Sequence, residues 1–147
     1  MLIRAAGLDE RFFLIELQRR ASLANPGDRA AVEAHPDAVD VPEAQFDAGQ
    51  VFVAEVDGEV CGFAAYELRA DGNVELDGLF VEPTKWRRGI AGALVADGAV
   101  RARAAGAAAI HVIGNPHAQG FYLAAGFEEL GPTQTEFGPA TNYVLKV

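Results

Sequence analysis

The chain has 147 residues, the ordinary size of one domain and enough to bury a core without disulfides or metals. Half of it is hydrophobic and 22% is charged, which excludes a disordered chain, and no apolar run approaches the roughly 18 residues that span a bilayer. A net charge of −9, from 12 basic and 21 acidic residues, argues against a nucleic-acid-binding face and is compatible with a cationic acceptor. The start, MLIRAAGLDE, shows no signal-peptide pattern. A lone cysteine, Cys61, cannot form an internal disulfide, so a reducing, cytoplasmic compartment is expected.

Leu2 to Arg4 reads as a short first strand. Asp9 is placed to cap a helix through Ser22, with Leu14, Leu17 and Ala21 on one face. The stretch from Ala24 to Gly49 is irregular. Asn25-Pro26-Gly27-Asp28 is turn chemistry, Asp28 suits the cap of a short helix from Arg29 to Ala34, and Pro42 suits the first position of another, ended by Gly49. Val51 to Val56 and Glu59 to Leu68 are β-rich and flank the hairpin signal Asp57-Gly58. A second turn, Asp71-Gly72-Asn73, leads into a strand from Val74 to Val81. Gly89 to Ala105 is an alanine-rich helix closed by Gly106. Ala108 to Ile113 is a strand and Pro116 to Ala125 a helix. Phe127 to Leu130 and Asn142 to Lys146 complete the strands. A meander followed by strand–helix–strand units predicts one domain, residues 1–147, of mixed α/β class with helices on the faces of a mixed sheet.

Lys85, Arg87 and Arg88 cluster in an otherwise acidic chain. They lie between the strand Val74–Val81 and the next helix, in the run Glu82-Pro83-Thr84-Lys85-Trp86-Arg87-Arg88-Gly89-Ile90-Ala91-Gly92. The first turn of a helix leaves backbone N–H groups without partners at its positive end. Gly89 allows close approach to the main chain, and small Ala91 and Gly92 keep the next turn open. Together these features suit a pyrophosphate, although for the loop alone a plain turn with solvated basic residues is the better explanation. It is not a Walker loop. The second segment is Asn115-Pro116-His117-Ala118-Gln119-Gly120-Phe121-Tyr122-Leu123-Ala124-Ala125-Gly126-Phe127, a strand end entering a helix. Phe121 and Gly126 also suit plain core and cap roles. Cys61 reads as a buried structural thiol. His35, His111 and His117 show no metal spacing, and no metal is expected.

Taken together, the two segments resemble the GNAT superfamily of acyl-CoA-dependent N-acetyltransferases over roughly residues 50 to 130. The cofactor motif [Q/R]-x-x-G-x-[G/A] follows Val81-Glu82-Pro83 and finds Gly89 and Ala91 at its fourth and sixth positions. The later motif N-x-x-A-x-x-F-Y-x-x-x-G-F is matched by Asn115, Ala118, Phe121, Tyr122, Gly126 and Phe127. One departure is Trp86, where the family usually has Gln or Arg.

The resemblance implies a central mixed, mostly antiparallel sheet with helices on both faces, and acetyl-CoA as co-substrate. It implies transfer of the acetyl group to a primary amine by direct attack in a ternary complex. It places the cofactor on Leu79, Phe80, Val81, Arg87, Arg88, Gly89, Ile90, Ala91, Gly92, Asn115, Ala118 and Phe121, with the Leu79 N–H polarising the thioester carbonyl. Tyr122 becomes the acid that protonates the leaving thiolate, its alternative being a core tyrosine. Glu75 or Asp77 becomes the base, acting through water. By strand alternation both share a face with Leu79 and Val81, where burial of an acid calls for a role or a partner; a solvated strand end is the alternative. The runner-up is an acyl-CoA-binding module without turnover, to which only Trp86 points, and a third reading is a partner-binding α/β domain without cofactor. Acceptor choice falls to Arg11–Gly49 and Pro132–Thr141, which leaves a small-molecule amine or a protein amine open. Dimers are common in such folds. No nucleic-acid or membrane partner is expected.

Overall fold

The computed structural model describes all residues from Met1 to Val147. Seven strands form one sheet: β1 (Leu2–Ala5), β2 (Val51–Val56), β3 (Glu59–Leu68), β4 (Val74–Val81), β5 (Ala109–Gly114), β6 (Glu128–Thr135) and β7 (Gly138–Lys146). Their order is β1-β2-β3-β4-β5-β7-β6. Every neighbouring pair is antiparallel except β4 and β5. The helices are α1 (Arg11–Ala24), α2 (Pro26–Ala34), α3 (Glu43–Asp47), α4 (Ile90–Ala104) and α5 (Gln119–Ala124).

Strand alternation builds two cores. Val51 and Val53 of β2 join Phe63, Leu14, Leu17 and Phe46 beneath α1 and α3. Phe52 and Ala54 point the other way, to Tyr66, Leu76, Leu94 and Ile110 beneath α4. The sheet therefore carries helices on both faces. Asp57 and Gly58 turn β2 into β3 with φ of 52° and 79°, the left-handed pair that an Asp-Gly hairpin requires.

Several local expectations need correcting. Asp9 caps nothing: a 3-10 turn, Leu8–Glu10, precedes α1, and Glu10 is the N-cap. Asp28 is not a cap either. Asn25 caps α2 by accepting from the Gly27 N–H at 3.0 Å, which brings Asp28 inside the first turn. Pro42 lies one position before α3. The last two strands are far longer than Phe127–Leu130 and Asn142–Lys146. Gly131, Pro132, Gly138 and Pro139 suggest turns, but β6 is an edge strand, where proline is tolerated, and Pro139 lies beyond the point where β5 pairing with β7 ends at Thr141.

The correction with the largest consequence is in β4. Gly78 pairs with Ala65 and Leu76 with Tyr66, so Asp77 is the extra residue of a bulge. The bulge resets the alternation. Leu79 and Val81 face the α4 core with Val74 and Leu76, and they do not share a face with Glu75.

Candidate active site

β4 and β5 pair only from Val74 to Leu76, against Ile110 to Val112. Beyond that point the β5-facing main-chain groups of β4 have no strand partner, and the strands part around a cleft of about 1120 Å³. This is ample for a ligand of cofactor size. One wall is the end of β4, the loop after it and the start of α4. The other is the end of β5, the segment through Tyr122, helix α2, and Thr135–Ala140 of the β6–β7 hairpin. His35 at the end of α2 meets Phe137 at the hairpin tip, with ring centroids 5.4 Å apart.

On the first wall the chain leaves β4, makes a 3-10 turn at Pro83–Lys85 and enters α4. Arg87 (φ 65°) and Gly89 (φ 81°) both adopt the left-handed conformation. The first helical bond of α4 runs from the Ala93 N–H to the Gly89 carbonyl. The N–H groups of Arg87, Arg88, Gly89, Ile90, Ala91 and Gly92 bond to no protein acceptor. Consecutive free N–H groups at a helix N-terminus form a concave anion site. Lys85, Arg87, Gly89, Ile90, Ala91 and Gly92 line the cleft, while Arg88 is exposed outside it. Trp86 donates from its indole N–H to the Val81 carbonyl at 2.8 Å. It pins the loop to the strand end, so the position where the chain departs from the sequence motif is here an anchor.

On the second wall Asn115 caps the 3-10 turn Pro116–Ala118, its carbonyl oxygen accepting from the N–H groups of His117 and Ala118. Its amide nitrogen donates to Asp28 Oδ1 at 2.6 Å. Both ends of the side chain are thus engaged within the protein, although Asn115, Ala118 and Phe121 all line the cleft. Tyr122 lies between Phe121, Phe127 and Tyr143, with centroids 5.0–5.4 Å away, and it is 9% exposed at the cleft surface. The ring fits because residue 114 is glycine: a Cβ there would come within 2.6 Å of Tyr122 Cε2. Burial, and then the charge of Asp28, push the Tyr122 phenol up to about 12.

The two strand acids separate. Glu75 is an ion-pair partner of Arg69 at 2.7 Å and does not line the cleft. Asp77 does line it, but the bulge leaves it exposed, accepting from Gln45 Nε2 at 2.8 Å. Neither is an acid buried on a central strand. Leu79, Phe80 and Val81 line the cleft, although Phe80 also packs on Phe63, with centroids 5.6 Å apart. A cleft residue that the sequence did not single out for the site is Asp28. It lines the cleft half-buried, and burial pushes its carboxyl up against the opposing pull of Asn115 and His117. Only its contact with Asn115, 87 positions along the chain, reveals the placement. No group of three or more His, Cys, Asp or Glu side chains is gathered as a metal site would require.

The profile of the acetyltransferase (GNAT) family matches residues 14–127. No curated protein sequence matches the chain. Among solved structures, the PaiA N-acetyltransferase of Thermoplasma acidophilum in complex with coenzyme A superposes with a TM-score of 0.81 at 17% identity, covering 99% of this chain and 98% of the other. The ribosomal-protein-alanine N-acetyltransferase of Brucella melitensis gives 0.76 at 21% identity, with both chains fully covered. YncA of Salmonella typhimurium with acetyl-CoA gives 0.75 at 20% identity, covering 99% and 93%. At these identities the likeness establishes the fold.

Proposed function

Because the chain belongs to the acetyltransferase (GNAT) family and transfers an acetyl group from acetyl-CoA to an amine acceptor, we propose that the cleft between β4 and β5 holds both substrates at once, with Tyr122 beside the leaving sulfur. The observation that carries this reading is the meeting, in one cleft, of the free N–H run Arg87–Gly92 and a buried phenol. Bound acetyl-CoA supplies the thioester. The loop amides, with Lys85 and Arg87, hold the phosphates. The unpaired edge of β4 near Leu79 offers a main-chain donor to the carbonyl.

Tyr122 is the acid of the site. A phenol raised to about 12 keeps its proton throughout the neutral range. The burial that raises it also raises any thiolate formed beside it, so the donor remains matched to its acceptor. Trp86 acts as a loop anchor, which leaves the non-catalytic reading without its one support. The chain is one domain, and a cytoplasmic location suits its lone, buried, free Cys61.

The acceptor is a small-molecule amine or a protein amine; one protein of this fold is named for a ribosomal-protein alanine. The test is thiol release from acetyl-CoA across a panel of amines, together with the thermal midpoint with and without CoA, since a ligand of the folded state raises it. No release with any amine, despite a CoA-dependent shift, would reduce the protein to a binding module.

A further inference from the structure

The attacking amine must shed a proton, and two carboxylates line the cleft, Asp77 and Asp28. We propose that Asp28 receives that proton, which makes it a catalytic residue of the acceptor side and selects an acceptor that arrives as an ammonium ion. The inference rests on the acetyl-transfer reading.

Asp28 is held as a proton acceptor needs to be held. Asn115 fixes Oδ1 at 2.6 Å, and Oδ2 accepts nothing from the protein. The same Asn115 caps the turn that leads into α5, so Asp28 and Tyr122 are both tied to one segment. Asp77, exposed and bridged to Gln45, has no such support. Burial moves Asp28 upward, toward working pH, the direction that favours a base. The titratable groups facing it are His117, whose cation favours the carboxylate, and Tyr122.

The two protons are coupled by charge. While Asp28 is ionised it opposes loss of the Tyr122 proton. An ammonium seated against Asp28 balances that charge. Asp28 takes a proton from the ammonium, so an N–H bond breaks, an O–H bond forms on Asp28 and the nitrogen gains the lone pair that forms the C–N bond. The C–S bond breaks as the thiolate takes the Tyr122 proton, and the second nitrogen proton, made acidic by the new C–N bond, returns to the Tyr122 phenolate. Neutral Asp28 then no longer opposes that transfer, and its proton leaves to water, balancing one proton released per turnover.

The test compares Asp28→Asn with Asp77→Asn, using propylamine, trifluoroethylamine and an alanine-initiated peptide as acceptors. Asparagine at 28 keeps an oxygen for Asn115, so the fold and CoA affinity by calorimetry should be unchanged. With propylamine, a cation at pH 7, kcat/KM should fall about a hundredfold in Asp28→Asn and the acid limb of its pH profile should flatten. Asp77→Asn should cost less than about threefold. Trifluoroethylamine, neutral at that pH, should show a much smaller defect, a pattern that a purely structural residue would not produce. An active parent with an indifferent Asp28→Asn, equal defects for both amines, or weakened CoA binding in the variant overturns this inference alone. A parent that binds CoA and acetylates none of the three overturns the transfer reading and this inference with it.

Discussion

The two walls of the cleft are built by opposite strategies. The wall proposed for the phosphates is made of main-chain groups from one uninterrupted stretch, Arg87 to Gly92, whose N–H groups stay unbonded because a helix begins there. The wall proposed for the acceptor is made of side chains brought from Asp28, Asn115, Tyr122 and Phe137, and it depends on contacts such as Asn115 to Asp28. A main-chain site tolerates most side-chain changes and fails when the backbone cannot follow its path. A side-chain site fails at single atoms. The contrast explains how a shared cofactor could be kept while the acceptor varies.

The largest effect should come from the backbone side. Gly89 sits at φ 81°, and no heavy atom lies within 4 Å of the place a Cβ would take. Gly89→Val therefore meets no clash, carries about 1–2 kcal/mol of left-handed strain and places its methyls before the free amides. The CoA-induced rise in thermal midpoint should disappear while the protein still folds. Retention of parental CoA affinity by calorimetry would show that the amide run is not the phosphate site. On the side-chain wall, Tyr122→Phe removes one oxygen and keeps the ring between Phe121, Phe127 and Tyr143. Turnover should drop about a hundredfold or more with CoA binding intact. Unaltered kcat at saturating substrates would make Tyr122 a core residue.

The same contrast governs what the sequence reveals. The bounds of β2, β3 and β4 follow from alternation and from the Asp57-Gly58 turn. The loop into α4 is legible because its parts are contiguous and Gly89 marks the left-handed step. The Asp77 bulge is not legible: one extra residue leaves composition unchanged while moving Leu79 and Val81 to the other face. Asp28 reads as a helix cap because Asp in a turn ordinarily is one, and only the fold shows Asn25 taking that role. The long β6–β7 hairpin is hidden by Pro132 and Pro139, which it tolerates because each has a strand on one side only.

A milder change probes the acceptor wall through geometry alone. Gly114→Ala would bring a methyl within 2.6 Å of the Tyr122 ring, so the ring must shift while its hydroxyl remains. Turnover should fall about tenfold, as small misplacements do, and overpacking of about 1–3 kcal/mol should lower the thermal midpoint. CoA affinity, set on the other wall, should hold. A large loss of CoA binding would mean that the two walls are not independent.

The smallest effects concern pH, and the walls should differ in sign. Glu82, at the start of the loop into α4, pairs with Arg20 of α1 at 2.8 Å, and the guanidinium holds its carboxyl below the ordinary value. An acid depressed in the folded state adds stability above its unfolded pKa and loses it as pH falls through the folded one. Glu82→Gln should therefore lower the midpoint near neutrality, by about 1–2 °C for a pair this exposed, and the difference should vanish in acid. Asp28 is raised by burial, so its charge costs stability. That cost is absent below the unfolded pKa, grows as pH climbs toward the folded value and is complete above it. Asp28→Asn should accordingly raise the midpoint slightly at pH 7 and leave it unchanged near pH 3, at a reference carboxyl pKa of about 3.9. A carboxylate that weakens the fold while lining the cleft fits a group retained for chemistry. Melting curves of both variants across pH 3 to 8 decide the matter, and a destabilised Asp28→Asn at neutral pH would make the Asp28–Asn115 contact a structural tie instead.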